Sequence, residues 1–277
     1  FQALEQWTEY SESCAWNDGF ALSGIPEDVG ILLEDAYAKG VRVHNNSWGR
    51  VAAGAYYDDA ANFDKRIFQH QDLLVTVSAG NYGKDLNPAD GYADLGSLAS
   101  LAAAKNVLAI GASDSYRSYG GWAAYVWHTP LGDNFAIPPT SIDYTSDNPD
   151  ELAAFSSRGP TADGRIKPDL VAPGTNIISA RAQNANYIEN WGGYENSYYM
   201  YNGGTSMAAP LAAGAAALVR EYYIEKMLFA NPSAALIKAT LINTAVDIPG
   251  YGNLSYEAGQ PIPNMHEGWG RIDVGAA

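Results

Sequence analysis

The chain has 277 residues, 47% of them hydrophobic and 17% charged, with 16 Lys and Arg set against 31 Asp and Glu for a net charge of −15. Such a composition can bury a large core, in one α/β domain or two smaller ones, and excludes a disordered or coiled-coil chain. The acidity excludes nucleic acid and anionic lipid as partners, because phosphate binding needs clustered Lys and Arg, and with no apolar run long enough to span a bilayer no membrane partner is expected.

The chain opens on Phe1 with no charged-then-apolar leader, so a start inside a larger product or after processing is expected. The single cysteine, Cys14, excludes an internal disulfide framework and reads as a partly buried thiol. From Ile25 a helix is predicted. Pro26 suits its first turn, Glu27 and Asp28 complement the dipole, and Val29, Leu32, Leu33, Ala36 and Tyr37 recur at helical spacing until Gly40. Residues 41–47 read as a strand, a second helix carries Phe63, Ile67 and Phe68, and residues 73–79 and 107–110 read as apolar strands. Strands alternating with helices, and apolar on both faces, predict a parallel sheet covered on both sides.

Residues 113–152 and 181–202 break this rhythm. They are rich in Tyr, Trp, Gly and Asn without sustained periodicity and are expected to be ordered excursions, whose aromatics pack the loops or line a cleft. Residues 208–219 are mostly small and suit a tightly packed helix running on to about Tyr223. Another helix opens at Pro232, with Ala235, Leu236, Ala239 and Ile242 as its expected inner face.

The chemistry centres on Gly203-Gly204-Thr205-Ser206-Met207-Ala208-Ala209-Pro210. A serine hydroxyl is a poor nucleophile until a neighbouring base takes its proton, so a reactive serine needs an exposed position on a rigid support. Glycines at 203 and 204 free the entering chain, and a helix starting there sets free backbone N–H groups and a positive dipole end beside Ser206. A helix cap alone would explain a serine but not the whole run.

That run resembles the serine motif of the subtilases. Ser78-Ala79-Gly80-Asn81-Tyr82-Gly83, after an apolar strand, is similar to the family's oxyanion-hole segment, which implies that the Asn81 amide donates to a tetrahedral intermediate. Asn46-Ser47-Trp48-Gly49 resembles the edge on which subtilases lay an extended peptide, implying substrate contacts at Ser47, Trp48 and Gly49, joined by Gly80, Gly204 and Thr205 near the serine. Gly19-Phe20-Ala21-Leu22-Ser23-Gly24 stands where the other substrate-flanking loop belongs, or is a connector. The segments from Phe155 to Pro160 and from Lys167 to Gly174 are also subtilase-like, with Asp169 expected as a hydrogen-bonded structural carboxylate.

The resemblance runs from Phe1 to about Val274 and is closest to the larger, alkaline bacterial branch. It implies a three-layer α/β/α sandwich with a mainly parallel sheet, N-terminally incomplete, with residues 1–277 forming the C-terminal part of one catalytic domain. It further implies a secreted serine endopeptidase that acts on polypeptides through an acyl-enzyme on Ser206, needs no cofactor for its chemistry, and carries structural calcium on ligands the motifs do not name. The family's Asp-Thr/Ser-Gly and His-Gly-Thr-His motifs are absent. His44, His70, His128 and His266 lack such neighbours and are expected to be surface or packed side chains. Without a base the chain alone is expected to be inactive, its missing partner being the N-terminal section of the same domain. Because the family's Asp-bearing strand is central, a strand gap or an exposed edge is expected as well. The other reading is a catalytically dead relative that binds peptide, although such a binder has no chemical need for both Ser206 and Asn81. An α/β-hydrolase elbow would require Gly where Ala208 stands, and zinc-peptidase and phosphate-loop motifs are missing. Aromatics near Trp48 and in the Tyr-rich excursion point to apolar or aromatic substrate side chains.

Overall fold

The computed structural model describes residues 5–8, 19–22, 24–183, 191–248 and 261–277. Cys14, Ser23 and the part of the second excursion from 184 to 190 lie outside the described residues. An antiparallel strand pair, β1 (Glu5–Thr8) and β2 (Gly19–Leu22), comes first, so residues 19–22 form a strand rather than a loop or connector. The centre is a sheet of β3 (Val43–Asn46), β4 (Leu74–Ser78), β5 (Leu108–Ser113) and β6 (Leu170–Pro173), parallel throughout and in that spatial order.

Every residue of β4 and β5 is buried, which explains why those strands read as unbroken apolar runs. Successive side chains go to opposite faces. Val75, Val77 and Ala109 join the core under α1 (Gly30–Ala38) and α2 (Asp58–Gln69), whereas Leu74, Leu108, Ile110 and Ala112 join the core under α4 (Thr205–Glu225) and α5 (Ala234–Asn243). The result is the expected three-layer α/β/α sandwich. The four strands follow one another without a gap, and β4 is the one strand paired with β3 among the described residues, as β5 is with β6. Among the described residues no helix is long and apolar enough to cross a membrane.

Three details differ from the sequence expectation. The helix expected from Ile25 begins at Gly30, because the Asp28 carboxylate accepts the Gly30 N–H at 2.9 Å and takes up an amide at the helix start from outside it. On α2, Phe63 and Ile67 are buried but Phe68 is exposed, one step off the inward stripe. On α5 the buried positions are Ala234, Ile237 and Leu241, not Ala235, Leu236, Ala239 and Ile242. The helix is rotated by its anchors. Ser233 Oγ accepts the Leu236 N–H at 3.1 Å, and Lys238 Nζ reaches inward to Asp169 Oδ1 and the Val107 carbonyl, each at 2.8 Å.

The first excursion holds α3 (His128–Leu131) and short 3-10 turns; after β6 an antiparallel pair, β7 (Ile177–Ala180) and β8 (Tyr199–Asn202), delivers the chain to Gly203. The excursions' aromatics divide: the tryptophans, Phe135 and Tyr201 pack, whereas Tyr116, Tyr119, Tyr125, Tyr144, Tyr198 and Tyr199 are exposed. Trp122 stacks on Trp191 at 3.8 Å between centroids, and fully buried Trp127 meets Phe155 edge-on at 5.6 Å.

Asp169 is the structural carboxylate expected. It accepts the Ala109 N–H at 2.7 Å and Lys167 Nζ at 2.6 Å, with Lys238 on its other oxygen. Burial alone would raise its pKa, but the two ammonium groups hold it below the usual carboxylate value, while burial pushes Lys167 down to about 8. Asp169→Asn strands the Lys167 ammonium, which is 2% exposed. Removing one partner of such a buried pair is expected to cost about 3–5 kcal/mol in a urea unfolding titration, and a loss under about 1 kcal/mol would contradict this reading.

Candidate active site

Helix α4 crosses the sheet and touches all four strands, which it can do because Ala208, Ala209, Ala212, Ala215 and Ala216 give it a narrow buried face. Its N-terminus reaches the C-terminal ends of the strands, where open α/β sheets place their ligands. Gly204 precedes the helix at φ +140°, a backbone that side chains avoid. Gly203 lies flat against Trp191, whose ring any side chain there would strike.

Ser206 is half-buried in the first turn, and its hydroxyl donates to the Ser47 carbonyl at 3.2 Å. Ser47 Oγ donates in return to the Ser206 carbonyl at 2.8 Å. Pro210 creates that opportunity: a helix would normally bond the residue-210 N–H to the carbonyl of residue 206, but proline has no N–H. The freed carbonyl accepts Ser47 instead. Asn45 Nδ2 donates to Ser47 Oγ at 2.9 Å, and Thr76 Oγ1 donates to Asn45 Oδ1 at 3.0 Å, so the serine is tied into β3 and β4.

Asn81, just beyond β4, is exposed. Its Oδ1 accepts both the Thr205 N–H and the Thr205 hydroxyl, each at 2.9 Å, which sets the orientation of the amide. Neither Nδ2 nor the Ser206 backbone N–H has a protein acceptor among the described residues. They converge. A Cβ built on Gly204 would lie 3.1 Å from Asn81 Nδ2 and 3.6 Å from both Asn81 Oδ1 and Ser206 N, so the two donors without acceptors border one small space at Gly204. That arrangement can hold an oxygen carrying developing negative charge.

The expected substrate contacts divide. Gly49 is exposed and Gly204 borders the donor pair, but Trp48 packs against the α1/α2 core. Ser47 is engaged with Ser206. Gly80 holds φ +112° and donates its N–H to Thr205 Oγ1 at 3.2 Å. Thr205 was expected at the substrate. It is fully buried and bonded to Asn81 and Gly80.

Among the described residues none of the histidines bonds to Ser206 Oγ, whose hydrogen goes to a carbonyl. His44 Nδ1 accepts from Asn46 at 2.9 Å, and burial lowers its pKa, keeping the ring neutral. His70 stacks on Tyr37 and bonds Glu34, while His128 Nδ1 faces the Gly132 and Phe135 carbonyls. His266 lies half-buried in the C-terminal segment beyond β8 and α5. A cavity of about 490 Å³, lined in part by Leu74, Leu108, Ser233 and Lys238, opens at the starts of β4 and β5, the opposite end of the sheet.

A second polar centre went unnoticed in the sequence. Asp114, Asp143 and Glu151 bring carboxylate oxygens within 4.8 Å of one another, in a place where a metal could sit. Burial, reinforced by the neighbouring acids, raises Asp114 well above the usual carboxylate value, Asp143 to about 8 and Glu151 to about 7. No spacing pattern signals the trio, since the residues are spread over the whole first excursion.

A model of the subtilase family matches residues 24–270. A serine protease/ABC transporter B family protein, tagD of Dictyostelium discoideum, is 29% identical over 89% of this chain, which spans only 17% of that protein. The serine protease AprX of Bacillus subtilis is 36% identical over 53% of this chain and 26% of its own length. Among solved structures, a prenylagaramide maturation protease superposes with a TM-score of 0.57 at 19% identity, covering 94% of this chain and 68% of that one. A lanthipeptide protease gives 0.57 at 20% identity over 90% of this chain and 64% of its own. At such identity the structures speak to the fold alone.

The contact between Gly203 and Trp191 makes a local prediction. Gly203→Ala must push Trp191 off its stack with Trp122, changing the near-ultraviolet circular dichroism and costing about 1–3 kcal/mol, as overpacked cores do. An unchanged tryptophan spectrum and melting temperature would show that the loop tolerates a side chain there.

Proposed function

This chain belongs to the subtilase family, and from that premise we propose that it is the serine-bearing part of a serine endopeptidase catalytic domain. Ser206 Oγ attacks the scissile carbonyl of a polypeptide, and the carbonyl oxygen, now negative, lodges between Asn81 Nδ2 and the Ser206 N–H. The observation that carries this reading is the pair of unpartnered donors bordering one small space at Gly204. The donors are already aimed, so charge developing on the oxygen requires no rearrangement of the protein. Collapse of the tetrahedral intermediate expels the amine and leaves the acyl group on Ser206, and water then releases it. Subtilases need no cofactor for these steps.

Both proton transfers need a base that can hold the Ser206 proton and return it to the leaving amine. The proposal takes that base and its orienting acid from an upstream section bearing His-Gly-Thr-His and Asp-Thr/Ser-Gly, which makes residues 1–277 the C-terminal part of the catalytic domain and nearly inactive alone. It also includes an extracellular workplace and kinship with the larger, alkaline bacterial subtilases, on the strength of the Asn46-Ser47-Trp48-Gly49 resemblance. A catalytically dead peptide-binding relative is the competing reading, favoured by the carbonyl, rather than a base, at Ser206 Oγ.

Alone, the chain is expected to react weakly or not at all with a serine-directed phosphonate probe. Associated with an upstream section carrying both motifs, it labels faster, and Ser206→Ala abolishes the label. In that assembly Asn81→Ala lowers kcat by about 100- to 1,000-fold, the loss known for an oxyanion donor in subtilisin. Rapid stoichiometric labelling of the chain alone would overturn the dependence on an outside base, and no gain despite association would favour the peptide-binding reading.

A further inference from the structure

Asp114 is fully buried, and no N–H or O–H among the described residues reaches either of its carboxylate oxygens. Glu151, 4% exposed, has Oε2 in the same condition, as does Asp143 at Oδ2. Four acceptor atoms are thus withdrawn from water without a donor, at a point where a buried acceptor ordinarily finds one. The remaining partners are weak counterweights: Asn148 Nδ2 donates to Glu151 Oε1 at 2.8 Å, and Trp127 lies beside Asp143. Arg158 acts on Asp114 electrostatically, but its Nη1 donates to the Ser156 carbonyl at 2.7 Å.

We infer that Asp114, Asp143 and Glu151 form a binding site for a divalent cation of the calcium type, which ties together the start, the middle and the end of the first excursion. Ligand oxygens on opposite sides of calcium, each about 2.4 Å from the ion, stand about 4.8 Å apart. One oxygen from each of the three carboxylates lies within that separation of the others. Their four unpartnered oxygens would supply half or more of the six to eight ligands calcium takes, and the hydroxyls of Ser113 and Ser115, on either side of Asp114, are also buried without partners. Hard oxygen donors without sulfur or imidazole favour calcium or magnesium over zinc or copper.

The position gives the ion something to hold. The Asp114 N–H donates to the Glu151 carbonyl at 2.8 Å, so the neck of the excursion is already clasped by backbone, and Asp143 comes from its far part. From Asp114 the bonding continues to the candidate active site. Ser115 N–H donates to Thr175 Oγ1 at 2.8 Å, Gly174 N–H to the Ser113 carbonyl at 2.9 Å, and Gly204 N–H to the Gly174 carbonyl at 2.8 Å. A cation at the trio therefore braces the loop that sets Gly204.

The test uses the 277-residue chain stripped of metal. Calcium should raise its melting temperature by several degrees in a saturable way. Terbium, a luminescent stand-in for calcium, should emit on tryptophan excitation, because Trp127 adjoins Asp143, and calcium should quench the emission by competition. The double variant Asp114→Asn, Glu151→Gln keeps the shapes and removes two charges; it should show native far-ultraviolet circular dichroism and lose both responses. Absence of a calcium shift and of terbium emission in the parent chain would overturn the site, and so would equal responses in the variant, which would put the ion elsewhere. Melting that responds to pH but not to calcium would mean that the acids are neutralised by protons and hold no metal.

Discussion

The arrangement depends on one packing fact: α4 is narrow enough to lie across the sheet and bring its first turn to the ends of the strands. Each strand then secures that turn. Beyond β3, Ser47 exchanges hydrogen bonds with Ser206; beyond β4, Gly80 and Asn81 meet Thr205; β5 and β6 meet through Ser113 and Gly174, and Gly174 holds Gly204. A bulkier helix face would lift the serine off the strands and break these bonds together.

Within that frame, two local substitutions of one partner for another shape the chemistry. Pro210 withholds a helical hydrogen from the Ser206 carbonyl, and Ser47 supplies one from the sheet. Thr205 presents its N–H and hydroxyl to Asn81 Oδ1, leaving Nδ2 to border the space at Gly204. Buried Thr205 thus governs a group it does not itself bring to the substrate. The serine hydroxyl rests on a carbonyl, which can accept its hydrogen bond but cannot take its proton. Under the proposed reading Ser206 is the nucleophile and Asn81 Nδ2 an oxyanion donor, with proton transfer assigned to another part of the domain.

Much of the fold was legible in the sequence because β4 and β5, buried on both faces, read as apolar runs, and because glycine and proline mark the loops around Ser206. The exposed Phe68 and the rotated α5 were not legible, since tertiary anchors set helix phase: Lys238 turns inward to meet a carboxylate that sequence distance hides. Asn81 and Ser206 stand out in local motifs, and the fold brings both to the start of α4. Thr205 as a support could not be read there, nor could the Ser47–Ser206 exchange, which joins residues from opposite ends of the sheet's chain order. The carboxylates of Asp114, Asp143 and Glu151 were invisible for the same reason, gathered as they are by an excursion without periodicity.

The most direct test of the central claim is a crystal structure of this chain assembled with a section that carries the proposed His and Asp motifs and reacted with a peptidyl phosphonate. The account predicts phosphorus bonded to Ser206 Oγ and a phosphonyl oxygen about 2.7–3.1 Å from both Asn81 Nδ2 and the Ser206 N–H. An adduct whose oxygen points away from Asn81, or one formed on a different side chain, would contradict it.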